Sequence, residues 1–279
     1  MNLKIITLIS IIFLLASCTS DVWEQDAAVK NGDVYKRYHY PFILKIGKVY
    51  STDVELFKDT RAWSLARAVY EQDTVTIVKL CKADQSLVSY QEQRIGRTLL
   101  LWAIQNDRYF SARKLLEMGA DPNTKDSTGN SAFMFTADKQ ETANYLKLLL
   151  KYGGDPNTYV KLDSHTYFNI LSNASINNIV STKLLVEAGA DINYSYNGLN
   201  SALSDALMLG TLETTEYLLK KGANYLRPFR ALGDTVYPID ILRNNQERKL
   251  GTPEEQQIRD RIIKYIEEHS AEDSLKWLK

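Results

Sequence analysis

The sequence predicts an all-α solenoid in which helix-turn-helix units, joined by β-hairpin loops, stack between helical caps. Three observations carry that prediction. First, a closing element recurs four times: Leu115-Leu116-Glu-Met-Gly119-Ala-Asp121-Pro-Asn123, Leu149-Leu150-Lys-Tyr-Gly153-Gly-Asp155-Pro-Asn157, Leu185-Val186-Glu-Ala-Gly189-Ala-Asp191-Ile-Asn193 and Leu218-Leu219-Lys-Lys-Gly222-Ala-Asn224. Its glycines stand 34, 36 and 33 residues apart, the period of a unit that cannot bury its apolar face alone and must stack. Second, an opening element recurs: Thr98-Leu-Leu100-Leu-Trp102-Ala103, Ser131-Ala-Phe133-Met-Phe135, Ser201-Ala-Leu203-Ser-Asp205-Ala206 and Tyr237-Pro238-Ile239-Asp240. Third, both ends of the repeated region carry apolar residues at helical spacing with polar residues between them.

In chain order, Met1 to Cys18 read MNLKIITLISIIFLLASC. Lys4 is a short positive region, Ile5 to Leu15 an apolar run too short for a membrane span, and Leu15-Ala16-Ser17-Cys18 a small-residue box ending in Cys. Residues 1–17 are expected to be a signal peptide, and residues 18–60 a tether and N-terminal extension. Residues 61–279 are expected to be the repeat domain with its caps. Asp21 to Tyr40 are polar and Tyr-rich, and Phe42 to Tyr50 suit a short strand. Between Trp63 and Asp84 lie two helical patterns, Leu65 to Val69 and Val75 to Cys81, a half-disguised repeat. Cys81 reads as a small buried hydrophobe.

In each closing element the paired leucines face the next unit. The glycine supplies a left-handed residue that ends the helix, and Asp and Asn bond their own backbone to turn the chain. The third unit's opening helix, His165 to Leu171, is degenerate, and its hairpin, Pro156 to Ser164, is long. Pro253 suits a helix first turn, and Ile258, Ile262, Ile263 and Ile266 form one face of a terminal helix, with Arg259, Arg261, Glu267 and Glu268 on the others.

These elements resemble the ankyrin repeat, in which a TPLHxA element opens the first helix and LLxxGADxN closes the second. The expected fold is therefore an ankyrin-repeat solenoid. Its usual Pro is replaced by Leu99 in the first full repeat. The leader resembles a bacterial lipobox, which implies lipidation of Cys18. With Thr19 rather than Asp after it, the expected site is the periplasmic side of the outer membrane.

Composition narrows the function. The chain has 34 basic and 34 acidic residues, 44% apolar and 24% charged residues, three His and two Cys. That balance argues against a nucleic-acid field and against a Cys/His metal framework or disulfide scaffold. Gly129-Asn-Ser131-Ala-Phe133 lacks the last glycine of G-x-S-x-G, so Ser131 reads as a helix N-terminal residue rather than a nucleophile. No zinc-protease, Walker or dinucleotide motif is present. The aspartates Asp121, Asp155 and Asp191 recur at the repeat period and read as turn residues. No enzyme activity, cofactor or metal is expected.

What is expected is a protein-binding surface. In ankyrin stacks, hairpin tips and the exposed side of the first helices line a groove. Here those positions give Arg94, Arg97, Asn130, Tyr159, Lys161, His165, Tyr194, Tyr196 and Asn200 on hairpins, and Gln105, Asn106, Asp138, Lys139, Asn173 and Met208 at first-helix ends. Tyr and Arg are favoured contact residues. Substituting Tyr194, Tyr196 or Arg97 is expected to speed dissociation.

The lipobox, the segment Asp53-Val-Glu-Leu-Phe57 to Val69, and Gly96-Arg-Thr-Leu-Leu-Leu-Trp102-Ala-Ile extend the resemblance over residues 1 to roughly 230. They are similar to ankyrin-repeat lipoproteins that serve as immunity proteins against type VI secretion phospholipase effectors. That resemblance implies a membrane-anchored inhibitor that clasps a cognate phospholipase effector. The alternative is a periplasmic ankyrin scaffold for an endogenous envelope complex or enzyme.

Overall fold

The computed structural model describes residues 54–136, 142–161, 167–195, 201–231 and 234–277. The leader, Cys18, the tether and the strand expected at Phe42 to Tyr50 lie outside the described residues. The chain divides into two compact units, residues 52–229 with 237–279 and residues 1–51 with 230–236. Nearly all described residues belong to the first.

That unit is built from helix pairs. The first helix of each pair is α1 (Trp63–Glu71), α3 (Leu99–Gln105), a single 3-10 turn (Ala132–Phe135), α6 (Ile170–Asn177), α8 (Ala202–Leu209) or α10 (Pro238–Glu247). The second helices are α2 (Thr74–Ala83), α4 (Tyr109–Glu117), α5 (Thr142–Lys151), α7 (Ile179–Glu187), α9 (Leu212–Lys220) and α11 (Pro253–Trp277). The second helices pack in an unbroken row, α2 on α4, α4 on α5, α5 on α7, α7 on α9 and α9 on α11. In the other row α1 packs on α3, α3 on the 3-10 turn, α6 on α8 and α8 on α10.

Local chemistry explains the boundaries. Thr98 Oγ1 accepts from the Leu101 N–H at 3.2 Å to start α3. Ser201 and Ser204 cap α8 reciprocally, and Pro238 occupies the first turn of α10. The glycines Gly119, Gly153, Gly189 and Gly222 follow α4, α5, α7 and α9 with φ between +83 and +95°, which suits a residue without a Cβ. The first leucine of each closing pair, Leu115, Leu149, Leu185 and Leu218, is fully buried. Helix α3 is buried from Leu99 to Ile104, as a helix apolar on all sides must be.

The structure shifts two expected elements. The third opening helix starts at Ile170, with Asn169 as its cap, accepting from the Ser172 N–H at 2.6 Å. Residues Tyr167–Asn169 are instead strand β2, antiparallel to β1 (Tyr159–Lys161) with Tyr159 opposite Asn169. Ser131 does precede the second opening element, but that element is a 3-10 turn without a side-chain cap. The Ser131 hydroxyl lies 3.1 Å from Thr158 Oγ1 instead. A second strand pair, β3 (Phe229–Ala231) and β4 (Asp234–Val236), lies before α10.

The caps follow the sequence closely. Cys81 is buried in α2, and desolvation raises its thiol pKa. Helix α11 begins at Pro253 and buries Ile262, Ile263 and Ile266. Arg259, expected on a polar face, is buried too: its guanidinium donates to the Leu250 carbonyl at 2.8 Å, tying α11 to the loop before it.

Candidate functional site

The hairpins are held to one another by side chains that repeat with the units. Asn123 donates through Nδ2 to the Gly153 carbonyl at 2.9 Å, and its Oδ1 accepts from the Asp155 N–H at 2.7 Å. Asn157 does the same to Gly189 and Asp191 at 3.3 and 2.7 Å, and Asn193 to Gly222 and Asn224 at 3.3 and 2.7 Å. The aspartates turn their own loops, as expected. Asp121, Asp155 and Asp191 each accept from the N–H two residues on, at 2.8 to 2.9 Å. The asparagines differ from expectation, because their side chains serve the next repeat. At the N-terminal end Gln85 takes the analogous place, donating to the Met118 carbonyl at 2.7 Å.

A second series runs nearer the hairpin tips. Gln91 Nε2 donates to the Lys125 carbonyl at 3.0 Å, and Lys125 Nζ donates to the Tyr159 carbonyl at 3.3 Å. The same ammonium lies 4.8 Å from the centre of the Tyr159 ring. Tyr159 stacks on Tyr194, with ring centres 6.2 Å apart and planes inclined by 21°. Tyr159 is 40% exposed. Three consecutive hairpins thus present one strip, Lys125–Tyr159–Tyr194. Of the residues singled out in the sequence, Tyr159 and Tyr194 are the pair the structure brings together, and Lys161 is the last residue of β1.

Other expected contacts have internal duties. Arg97 is fully buried. Its Nη2 pairs with Asp126 Oδ2 at 3.0 Å, Nη1 bonds Gln105 Oε1, and its guanidinium lies over the Phe135 ring at 4.8 Å. Asn130 is buried and donates to Thr128 Oγ1 at 2.7 Å. Asn173 is buried on α6. These three cannot meet a partner in this conformation, and the assignment of a contact role to them is corrected. Arg97 looks exposed in sequence, but here it crosses the repeat interface to Asp126 and Phe135.

Gln105 and Asn106 are half-buried at the end of α3, where Asn106 Nδ2 donates to the Trp102 carbonyl at 2.8 Å. Met208 is half-buried on α8. Arg94 keeps 66% of its side chain exposed while donating to the Leu56 carbonyl at 2.9 Å. Asp138, Lys139, His165, Tyr196 and Asn200 lie outside the described residues.

Sequence reasoning missed two organising carboxylates. Glu92 is buried, and its Oε1 accepts from the Ile95 N–H at 2.6 Å and its Oε2 from the Arg94 N–H at 2.8 Å. Asp126 accepts from the Thr128 and Asn130 N–H groups at 2.9 and 3.1 Å. The two stand 34 residues apart, so the repeat period itself was the signal.

Comparison with known proteins bears on the fold. Residues 95–127 match the ankyrin repeat family. Protein PhlB of Serratia liquefaciens is 37% identical over 94 residues, 34% of this chain, and the match spans only 40% of that protein's length. Among solved structures, the ankyrin repeat protein EF0377 aligns with TM-score 0.55 at 24% identity, over 71% of this chain and 96% of that one. An ankyrin repeat domain of Acinetobacter baumannii AYE aligns with TM-score 0.56 at 23% identity, over 70% and 95%. A chain from the complex of the predatory endopeptidase Bd0816 of Bdellovibrio bacteriovorus with immunity protein Bd3460 aligns with TM-score 0.54 at 18% identity, over 71% and 97%. The stacked helix pairs, their glycine-closed hairpins and these alignments agree: this chain folds as an ankyrin-repeat solenoid.

Proposed function

We propose that this chain is a lipid-anchored periplasmic immunity protein that binds a type VI secretion phospholipase effector and blocks its active site sterically. The observation that carries the reading is the aligned hairpin edge with its Lys125–Tyr159–Tyr194 strip. Ankyrin repeats generally serve as protein-interaction scaffolds, and large amphipathic side chains in a fixed array are what such a surface uses. The lipobox at Leu15 to Cys18 supports anchoring. One structure of the same fold comes from a complex containing an immunity protein. An anchored inhibitor beside the bilayer would meet a lipase where it acts, at raised effective concentration.

The test is protection. The reading expects a phospholipase in the adjacent reading frame, and cells that export it should survive when they also make the full chain. They should lyse when the chain carries Tyr159→Ala and Tyr194→Ala together. Cys18→Ser should abolish fatty-acid labelling. Lysis despite a folded, exported chain would remove the immunity reading, and an adjacent frame for an envelope enzyme would favour a scaffold.

A further inference from the structure

Among the hairpin-tip residues whose burial is described, the exposed charged side chains are cations. Arg94, Lys125 and Arg227 are exposed, on the first, second and fifth loops of the series. The carboxylates of the same tips, Glu92 and Asp126, have side chains only 1% and 0% exposed. Both accept from loop amides; Asp126 also pairs with Arg97, and Glu92 also lies 3.7 Å from Arg94 Nε, which it partly offsets. Asp121, Asp155 and Asp191 are exposed, but they open the loops, four residues before Lys125 in the case of Asp121, and each is occupied by an amide of its own turn. A chain of zero net charge therefore exposes three cations on its hairpins while the carboxylates Glu92 and Asp126 of the first two are buried.

We infer that this edge docks an acidic protein surface, one whose carboxylates meet Arg94, Lys125 and Arg227 while the stacked tyrosines supply contact area. The inference rests on the reading of the chain as a partner-binding module and specifies the partner's chemistry. Cations on a rim steer encounter and exclude basic partners, whereas aromatic anchors at the centre hold the complex. Lys125 is already held by the Tyr159 carbonyl and ring, so less side-chain freedom is lost on docking.

The test uses the full chain carrying Cys18→Ser, with fluorescent poly-L-glutamate as probe and phosphatidylglycerol vesicles as the competing anionic surface. Poly-L-glutamate should bind at low salt, and Lys125→Glu with Arg227→Glu should weaken it by about tenfold or more. Arg67→Glu with Lys264→Glu makes the same change in net charge on exposed helix positions and should alter binding less than about twofold. Arg94 is left native, because its bond to Leu56 also braces the fold.

Equal binding by the tip variant and the native chain, equal weakening by the control, or no binding of poly-L-glutamate each overturns the assignment. So does tip-dependent binding to the vesicles alone, which would make lipid headgroups the ligand. The two readings fail separately. A chain that protects against no phospholipase yet loses poly-L-glutamate on tip reversal loses only the immunity reading. A tip variant that protects as well as the native chain loses only the acidic-partner assignment.

Discussion

At Gly154 a neighbour overrides the repeat's own pattern. The other three repeats place Ala120, Ala190 and Ala223 at this position, all buried. A Cβ at Gly154 would lie 2.5 Å from Phe133 Cε2 and 2.9 Å from the Leu149 carbonyl. The ring of the second opening element fills the space that alanine takes elsewhere. Substitution toward the repeat's usual residue commonly stabilises, but here Gly154→Ala should destabilise by about 1–3 kcal/mol through overpacking. Urea unfolding would show it, and an unchanged midpoint would mean Phe133 moves aside freely. The Arg97–Asp126 pair makes a second prediction at this scale. Arg97→Met leaves a buried carboxylate unpaired and should lower stability by about 3–5 kcal/mol. Adding Asp126→Asn keeps the Oδ1 acceptor for the loop amides and removes the charge, so part of that loss should return. An equally unstable double variant would show that the charge is not what costs.

Between elements, the asparagine ladder does the joining. Asn157→Ala removes one donor and one acceptor that cross from the third hairpin to the fourth, and should cost about 1–2 kcal/mol. Asn157→Asp retains the acceptor and should lose less. A cap contact adds a pH dependence. Arg261 grips Glu216 through Nε and Nη2 at 3.2 and 3.1 Å, fastening α11 to α9. That hydrogen bond, opposed by desolvation and aided by Lys220, holds the Glu216 carboxyl below its ordinary range. A lowered folded-state pKa means the contribution is present above the unfolded value and fades as pH falls through the folded one. Glu216→Gln should therefore cost about 0.2–1 kcal/mol at neutral pH, and the gap to the native chain should close in acid. A gap independent of pH would assign the effect to packing.

These elements also show what the sequence could reveal. The glycine turns that end the second helices and the Pro253 start of α11 follow local rules, so they were legible residue by residue. The strip at Tyr159 and Tyr194 was half legible, because aromatic residues in loops suggest contact without saying which ones meet. The burial of Arg97, Asn130 and Arg259 was not legible. Each lies in a polar stretch; Asp126 decides the fate of Arg97 and the Leu250 carbonyl that of Arg259, while Asn130 folds back on Thr128 of its own hairpin. The late start of α6 was missed because the β1–β2 pairing claims Tyr167–Asn169 before the helix can.

For the whole stack, each unit touches only its neighbours, so stability should be a sum of unit and interface contributions that propagates along one axis. Helix α11 closes that axis by covering α9 and α10 with Ile262, Ile263 and Ile266. Burying an isoleucine is worth about 1.5–3 kcal/mol, so losing three at one end is large against the stability of an ordinary domain. A chain ending at Gly251 should lose hydrogen-exchange protection first in α8, α9 and α10, while α1 to α4, several interfaces away, keep theirs. Ile262→Ala, at a fully buried site, should produce a milder form of the same gradient at a cost of about 2–5 kcal/mol. The strip at Lys125, Tyr159 and Tyr194 lies between these ends, so the truncated chain should hold the Lys125 side of the strip longer than the Tyr194 side. Uniform loss of protection from α1 to α10 would show that the interfaces couple the stack into one cooperative unit, and the nearest-neighbour description would fail.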